Sequence, residues 1–213
     1  MTQIKVCGLT REEDITAVNR WRPNYIGFVF ANSRRRVTPE QAHHLKDRLD
    51  PHIKAVGVFT NEPLPSIVKL CLKGTIDVVQ LHGDETEEYI RALKQKTICP
   101  VIKAIRVQST EQILKAQTMS CDLLLLDTYQ KGQYGGSGKT FDRTLIPPLH
   151  KPFFLAGGME SGNIEQAVWE CHPYGIDVSS GAETNGLKDE TKIRQIIEAI
   201  QTLDKIGDKE TTY

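Results

Sequence analysis

Residues Cys121 to Asp142 read CDLLLLDTYQKGQYGGSGKTFD. Four consecutive leucines, Leu123 to Leu126, are apolar on both faces of an extended chain, the pattern of a strand covered on both sides. The strand runs into Asp127 and then into a loop holding Gly132, Gly135, Gly136 and Gly138, a backbone able to approach a ligand closely. A carboxylate at the exit of a buried strand, facing such a loop, is where α/β enzymes keep their chemistry. The plainer reading has Asp127 only capping a turn. Gly138-Lys139-Thr140 mimics the end of the nucleotide-binding pattern G-x-x-x-x-G-K-[ST], but that pattern needs glycine where Gln133 stands. Pro147 and Pro148 also forbid the long helix that would have to follow, so a nucleoside triphosphatase is excluded.

Outward from this strand, the chain alternates extended and helical stretches. Gln3–Cys7 is extended, and Thr10-Arg11-Glu12-Glu13 has the form of a capping box for a helix with Ile15, Val18 and Trp21 on its inner side. Asn24–Phe30 is rich in β-formers, and Thr38-Pro39-Glu40-Gln41 supplies a cap, an N1 proline and a glutamine at N3. Ile53–Phe59, Ile76–Leu81, Val101–Ile105, Phe153–Ala156 and Gly175–Val178 complete the strands. The matching helices are predicted at Pro65–Leu72, after Asp84-Glu85-Thr86-Glu87, at Glu111–Thr118, near Phe141, at Ile164–Glu170 and at Glu190–Leu203. Eight such units at about 25 residues each predict a single-domain (β/α)8 TIM barrel over residues 1–203, compact beside the usual ~250 residues. Asp204–Tyr213 reads as a polar tail that frays in solvent. A doubly wound open sheet is the rival architecture.

Lysine and arginine number 27 and aspartate and glutamate 27, a net charge of zero, so no basic field draws nucleic acid or an anionic membrane. No apolar run reaches the ~18 residues of a membrane span, and the N-terminus has charges where a signal peptide needs apolar residues. Cys7, Cys71, Cys99, Cys121 and Cys171 are odd in number and widely spaced, which suggests neither a disulfide frame nor a zinc site. The expectation is a reduced, cytoplasmic protein acting on a small molecule. Oligomeric state stays open, with a monomer favoured.

In a barrel of this kind, active-site groups stand at the strand exits. Period-two alternation puts Lys5 and Cys7 on the inner side of the first strand, and Gln80 with His82, Asp127 and Asp177 with Ser179 on the inner sides of others. A cysteine acting as a base needs a nearby cation, and Lys5 is one candidate; the commoner role of a lone strand cysteine is small core filler. Gly157-Gly158 and Ser180-Gly181 close adjacent units where barrels build phosphate cradles from backbone N–H groups, or are simply tight turns. Arg34-Arg35-Arg36 reads as a solvated run or as the source of a carboxylate clamp. His82 suits orientation as well as reaction. Trp169 and Asn185-Gly186 have no evident part in the chemistry.

The segments Lys5-Val6-Cys7-Gly8-Leu9-Thr10, Gly27-Phe28-Val29-Phe30, Val56-Gly57-Val58-Phe59, Val79-Gln80-Leu81-His82-Gly83, Leu126-Asp127-Thr128, Tyr134–Phe141, Ala156-Gly157-Gly158 and Asp177-Val178-Ser179-Ser180-Gly181 together resemble the phosphoribosylanthranilate isomerase family. They span nearly the whole chain in the family's order. Ala31-Asn32, where many relatives carry a proline, is a mild departure. The resemblance implies an enzyme of tryptophan biosynthesis, an isomerase that carries out an Amadori rearrangement without metal or organic cofactor. It further implies Cys7 as general base, Asp127 as general acid, Arg36 as the holder of the substrate carboxylate, and Gly157, Gly158, Ser180 and Gly181 as the phosphate cradle. The chemistry would call for a raised carboxyl and a lowered thiol pKa. Alternatives are another phosphate-binding barrel enzyme acting on a phosphosugar and a non-catalytic phosphosugar-binding barrel.

Overall fold

The structure, a computed structural model, describes residues 1–128 and 141–210. Its strands and helices begin with β1 (Gln3–Cys7), α1 (Glu12–Trp21), β2 (Tyr25–Val29), α2 (Pro39–Lys46), β3 (Lys54–Phe59) and α3 (Leu64–Leu72). There follow β4 (Val78–Leu81), α4 (Glu87–Lys94), β5 (Val101–Val107), α5 (Thr110–Ala116) and β6 (Leu123–Thr128). The last are β7 (Phe153–Leu155), α6 (Ile164–Cys171), β8 (Gly175–Val178), a short hairpin of β9 (Glu183–Thr184) and β10 (Leu187–Lys188), and α7 (Glu190–Glu210). The glycines 132, 135, 136 and 138, and the Gly138-Lys139-Thr140 run, lie outside the described residues.

The strands β1 to β8 close in sequence order into a parallel barrel, β8 pairing back onto β1 through Gln3 with Gly175 and Lys5 with Asp177. Closure removes the doubly wound sheet, because an open sheet has two unpaired edges and this one has none. Among the described residues of the sixth unit, a 3-10 turn, Arg143–Leu145, stands after the strand, in keeping with the two prolines that follow. The Leu123–Leu126 strand explains itself in the packing. Leu124 and Leu126 join the outer layer between barrel and helices, while Leu123 and Leu125 meet Tyr25, Val56, Ile102 and Phe154 inside the barrel. Full burial of Leu124, Leu125 and Leu126 contributes about 1.5–3 kcal/mol each, Leu123 being only partly buried.

Two helix ends differ from the sequence expectation. The first helix starts at Glu12, and Asp14 holds its entrance, accepting from the amides of Thr10 (2.8 Å) and Arg11 (3.1 Å) and from the Arg11 guanidinium. A buried carboxylate with three donors outcompetes the more exposed Thr10-Glu13 box. α7 continues past Leu203 to Glu210, since polar composition decides solvation and not helix length. Elsewhere the caps follow expectation: the Thr38 hydroxyl accepts from the Gln41 amide (3.2 Å) while the Gln41 side chain accepts from the Thr38 amide (2.9 Å).

Candidate active site

The C-terminal mouth of the barrel holds a cavity of about 400 Å³ lined by Cys7, Arg35, Gln80, His82, Asp127, Asp177 and Ser179 among others. Thus β1, β4, β6 and β8 deliver their inner-facing exit residues to one space, as period-two alternation requires. The sulfur of Cys7 has room there because its neighbour across the ladder is a glycine. Cys7 pairs with Gly27, and a Cβ on Gly27 would stand 2.6 Å from the Cys7 sulfur.

Beneath the sulfur, Lys5 is fully buried and its ammonium donates to Asp177 at 2.8 Å. Burial works against the charge on Lys5, yet Asp177 and Cys7 hold its pKa above the ordinary lysine value. For Cys7 the balance is the reverse of the sequence expectation. Burial pushes the thiol pKa up, with Asp177 adding to the rise, while Lys5 and Lys188 pull in the other direction without prevailing. Desolvation of a thiolate wins over one nearby ion pair whose carboxylate also faces the sulfur.

Across the cavity, the Asp127 carboxylate accepts from the Thr128 amide at 2.7 Å and faces Nε2 of His82 at 3.4 Å. Nδ1 of His82 lies 2.9 Å from the Gln80 amide nitrogen. With that amide donating to Nδ1, the ring hydrogen sits on Nε2, the atom aimed at Asp127.

The two candidate cradle turns come together at the ends of the paired strands β7 and β8. Gly157 and Gly158 both have positive φ, 84° and 63°, which a side chain disfavours. A Cβ on Gly157 would strike the Thr128 hydroxyl, and one on Gly181 would strike the Met159 carbonyl. Ser180 opens a 3-10 turn, Ser180–Ala182, beside them.

Of the three consecutive arginines, Arg35 lies against Gly8 and lines the cavity. Its guanidinium makes two bonds to Glu183, at 2.6 and 3.0 Å, and Arg34 makes a third at 2.6 Å. Arg36 is exposed, makes no ion pair among the described residues, and lines a different cavity of about 310 Å³ with Val37, Pro39 and His43.

Two buried groups at this mouth escaped the sequence reading. Glu183 and Lys188 pair at 2.7 Å, and the Lys188 ammonium also donates to the Ser179 carbonyl at 2.9 Å. The signal for them was Asn185-Gly186, which has a part after all. Both residues have positive φ, 52° and 82°, the requirement of a two-residue hairpin turn between alternating strands, and the turn lays β10 back on β9.

A family model described as N-(5'phosphoribosyl)anthranilate (PRA) isomerase matches residues 4–199. The chain belongs to the phosphoribosylanthranilate isomerase family. A relative named N-(5'-phosphoribosyl)anthranilate isomerase, from Lachnoclostridium phytofermentans, is 46% identical over 206 residues, covering 91% of this chain and 94% of the relative. The crystal structure of phosphoribosyl anthranilate isomerase from Thermotoga maritima superposes with a TM-score of 0.85 at 32% identity, over 95% of this chain and all of that one. A further isomerase structure, in complex with reduced 1-(o-carboxyphenylamino)-1-deoxyribulose 5-phosphate, superposes at 0.79 with 30% identity, over 95% of this chain and 100% of that one. The chain is an isomerase of tryptophan biosynthesis, and the closed barrel is the architecture it shares with its phosphoribosylanthranilate isomerase relatives. Among the described residues no helix is long and apolar enough to cross a membrane.

Proposed function

We propose that Cys7 and Asp127 carry the conversion of N-(5-phosphoribosyl)anthranilate to 1-(2-carboxyphenylamino)-1-deoxyribulose 5-phosphate as general base and general acid. The observation that supports this most is that a thiol and a carboxyl reach one cavity from β1 and β6. Asp127 gives its proton to the ribose ring oxygen as the C1–O bond breaks and the aniline nitrogen lone pair forms a C1=N iminium. The iminium acidifies the C2 hydrogen, which the Cys7 thiolate removes. The C–H electron pair becomes a C1=C2 bond and the C1=N π pair returns to nitrogen. Tautomerisation of the resulting enaminol, with loss of the hydroxyl proton and protonation at C1, yields the ketone.

The remaining groups position the substrate. The backbone at Gly157, Gly158, Ser180 and Gly181 takes the phosphate, because bare amides at close-packed glycines admit an anion that a side chain would exclude. Arg35 takes the anthranilate carboxylate: of the run it is the arginine that lines this cavity, whereas Arg36, which the resemblance implied for this role, lines a separate one. Gln80 orients His82, His82 faces the acid, and Asp177 fixes Lys5 beneath the base.

The loss of anthranilate fluorescence on conversion provides the assay. Cys7→Ala and Asp127→Asn are each expected to lower kcat by about 10²–10⁴-fold, the usual contribution of a positioned acid or base. Near-normal turnover in either variant would end the assignment.

A further inference from the structure

The wall behind the Cys7 sulfur is built of charges. Lys5 of β1 and Asp177 of β8 face it from below. Arg35, after β2, covers Gly8, while Glu183 of β9 and Lys188 of β10 stand behind the Ser179 backbone. On the far side of the cavity are Asp127 and His82. On the near side, Lys5, Lys188 and Arg35 are cations and Asp177 and Glu183 are carboxylates. That cluster therefore holds one cation more than it has carboxylates while Cys7 is a thiol, and it is balanced when Cys7 is a thiolate. Arg34 also reaches Glu183, but its side chain is 58% exposed and its charge is screened by solvent.

We propose that Lys188, held in place by Glu183, is a positioning residue for the isomerisation, its ammonium supplying with Lys5 the positive field in which the Cys7 sulfur becomes a base. The proposal rests on the reading of Cys7 as that base. Lys188 is fixed close to the sulfur's own backbone: its ammonium donates to the Ser179 carbonyl (2.9 Å), and the Ser179 hydroxyl donates to the Cys7 carbonyl (3.1 Å). The side chain is 1% exposed, so the charge acts through protein and not through water, where it would be several-fold weaker. Burial draws the Lys188 pKa below the ordinary lysine value, and Glu183 opposes that draw. The Glu183 carboxyl is itself held below its usual range, against burial, by Arg35 and Lys188. Glu183 thereby keeps Lys188 charged where an unpaired ammonium would shed its proton. The Asn185-Gly186 turn has its own place in this account, since it alone brings position 188 alongside position 183.

The test reads the sulfur directly. Alkylation of the full-length protein by iodoacetamide is followed across pH by mass spectrometry of the Cys7 peptide, in parent, Lys188→Met, Lys188→Arg and Glu183→Gln. The thiolate alone reacts. Lys188→Met is expected to move the midpoint to higher pH by about one unit, which is about tenfold slower alkylation at neutral pH, and to move the kcat/KM profile with it. Lys188→Arg keeps the charge and is expected to restore the parent midpoint. Glu183→Gln removes the carboxylate that keeps Lys188 charged, and it is Lys188 and not Glu183 that acts on the sulfur, so its midpoint is expected to rise towards that of Lys188→Met. A Lys188→Met midpoint at the parent value, or alkylation slowed equally at every pH, overturns the proposal. Should Lys188→Met fail to fold, a Glu183→Gln midpoint at or below the parent's overturns it equally. Alkylation does not depend on turnover, so an error in Cys7's role as base would show separately, as activity retained by Cys7→Ala.

Discussion

His82 presents Nε2 to Oδ2 of Asp127 at 3.4 Å, and that buried nitrogen makes no hydrogen bond within the described residues. The ring is held from behind by Gln80, so it is a fixed donor aimed at the acid and short of contact. His82→Asn removes that donor. The expected result is a fall in kcat of about tenfold, equal to about 1.4 kcal/mol of barrier, with KM little changed. In a double-mutant cycle with Asp127→Asn the His82 effect should largely vanish, since the two groups act as one unit. Additive losses would mean that His82 acts elsewhere.

The pH dependence follows from the buried thiol. Cys7 works as a base only when deprotonated, and burial sets its pKa above the ordinary thiol value. A raised pKa means that the active form is present only above that pKa and is lost as pH falls through it. The kcat/KM of the isomerase is therefore expected to rise on the alkaline side, with a midpoint above the ~8.5 of a free thiol. A rising limb centred well below that value would contradict the dominance of desolvation.

At the cradle, Gly157→Ala places a methyl at a φ of 84° and into the Thr128 hydroxyl, with the Asp127 carboxylate 3.1 Å away. The left-handed backbone alone costs about 1–2 kcal/mol. Because Asp127 must shift as well, kcat and phosphate-dependent KM are both expected to deteriorate. Gly181→Ala, which meets only the Met159 backbone and its neighbour, is expected to raise KM while leaving kcat closer to the parent. Steady-state kinetics of the two variants separate these patterns.

Away from the chemistry, Lys103 bridges the loop after β4. Its ammonium donates to the Gly83 carbonyl (2.6 Å) and to Glu85 (2.8 Å), both side chains being almost wholly buried. Lys103→Met leaves the Glu85 carboxylate buried and unpaired, a loss of about 3–5 kcal/mol. Urea denaturation should show it, and Lys103→Met combined with Glu85→Gln should be the more stable of the two.

Glu87, at the start of α4, accepts from the amide and hydroxyl of Ser120, at 2.8 and 2.5 Å, and from Arg91. The Ser120 bonds and Arg91 hold its carboxyl down at about 2. The group is depressed, so its contribution to stability is present above the unfolded value near ~4.3 and disappears as pH falls through about 2. Thermal melts of Glu87→Gln and parent should converge as pH drops across that window.

Much of this was legible in the sequence for identifiable reasons. A strand apolar on both faces admits one kind of surroundings, and caps such as Thr38 with Gln41 are local chemistry, so the eight units and the inward-facing Cys7, Gln80, Asp127 and Asp177 could be read along the chain. What could not be read depends on distances that only the closed barrel sets. Arg35 and Glu183 are 148 residues apart in sequence, and nothing local distinguishes Arg35 from its two neighbours. The sign of the Cys7 shift failed for the same reason: sequence names the cation beside a thiol, whereas the extent of desolvation is a property of the packed wall. Lys188 was hidden behind a turn whose Asn-Gly signature was plain but whose partner strand was not.

The side chains of Val56, Ile102, Leu125 and Phe154 plug the barrel beneath the reacting groups. Hydrocarbon there conducts no protons, so whatever the sulfur takes up must depart by the same doorway through which the sugar arrives. Turnover and exchange of label with the surrounding water are thereby tied to a single passage, and a bound product that stoppers it would also trap the transferred hydrogen.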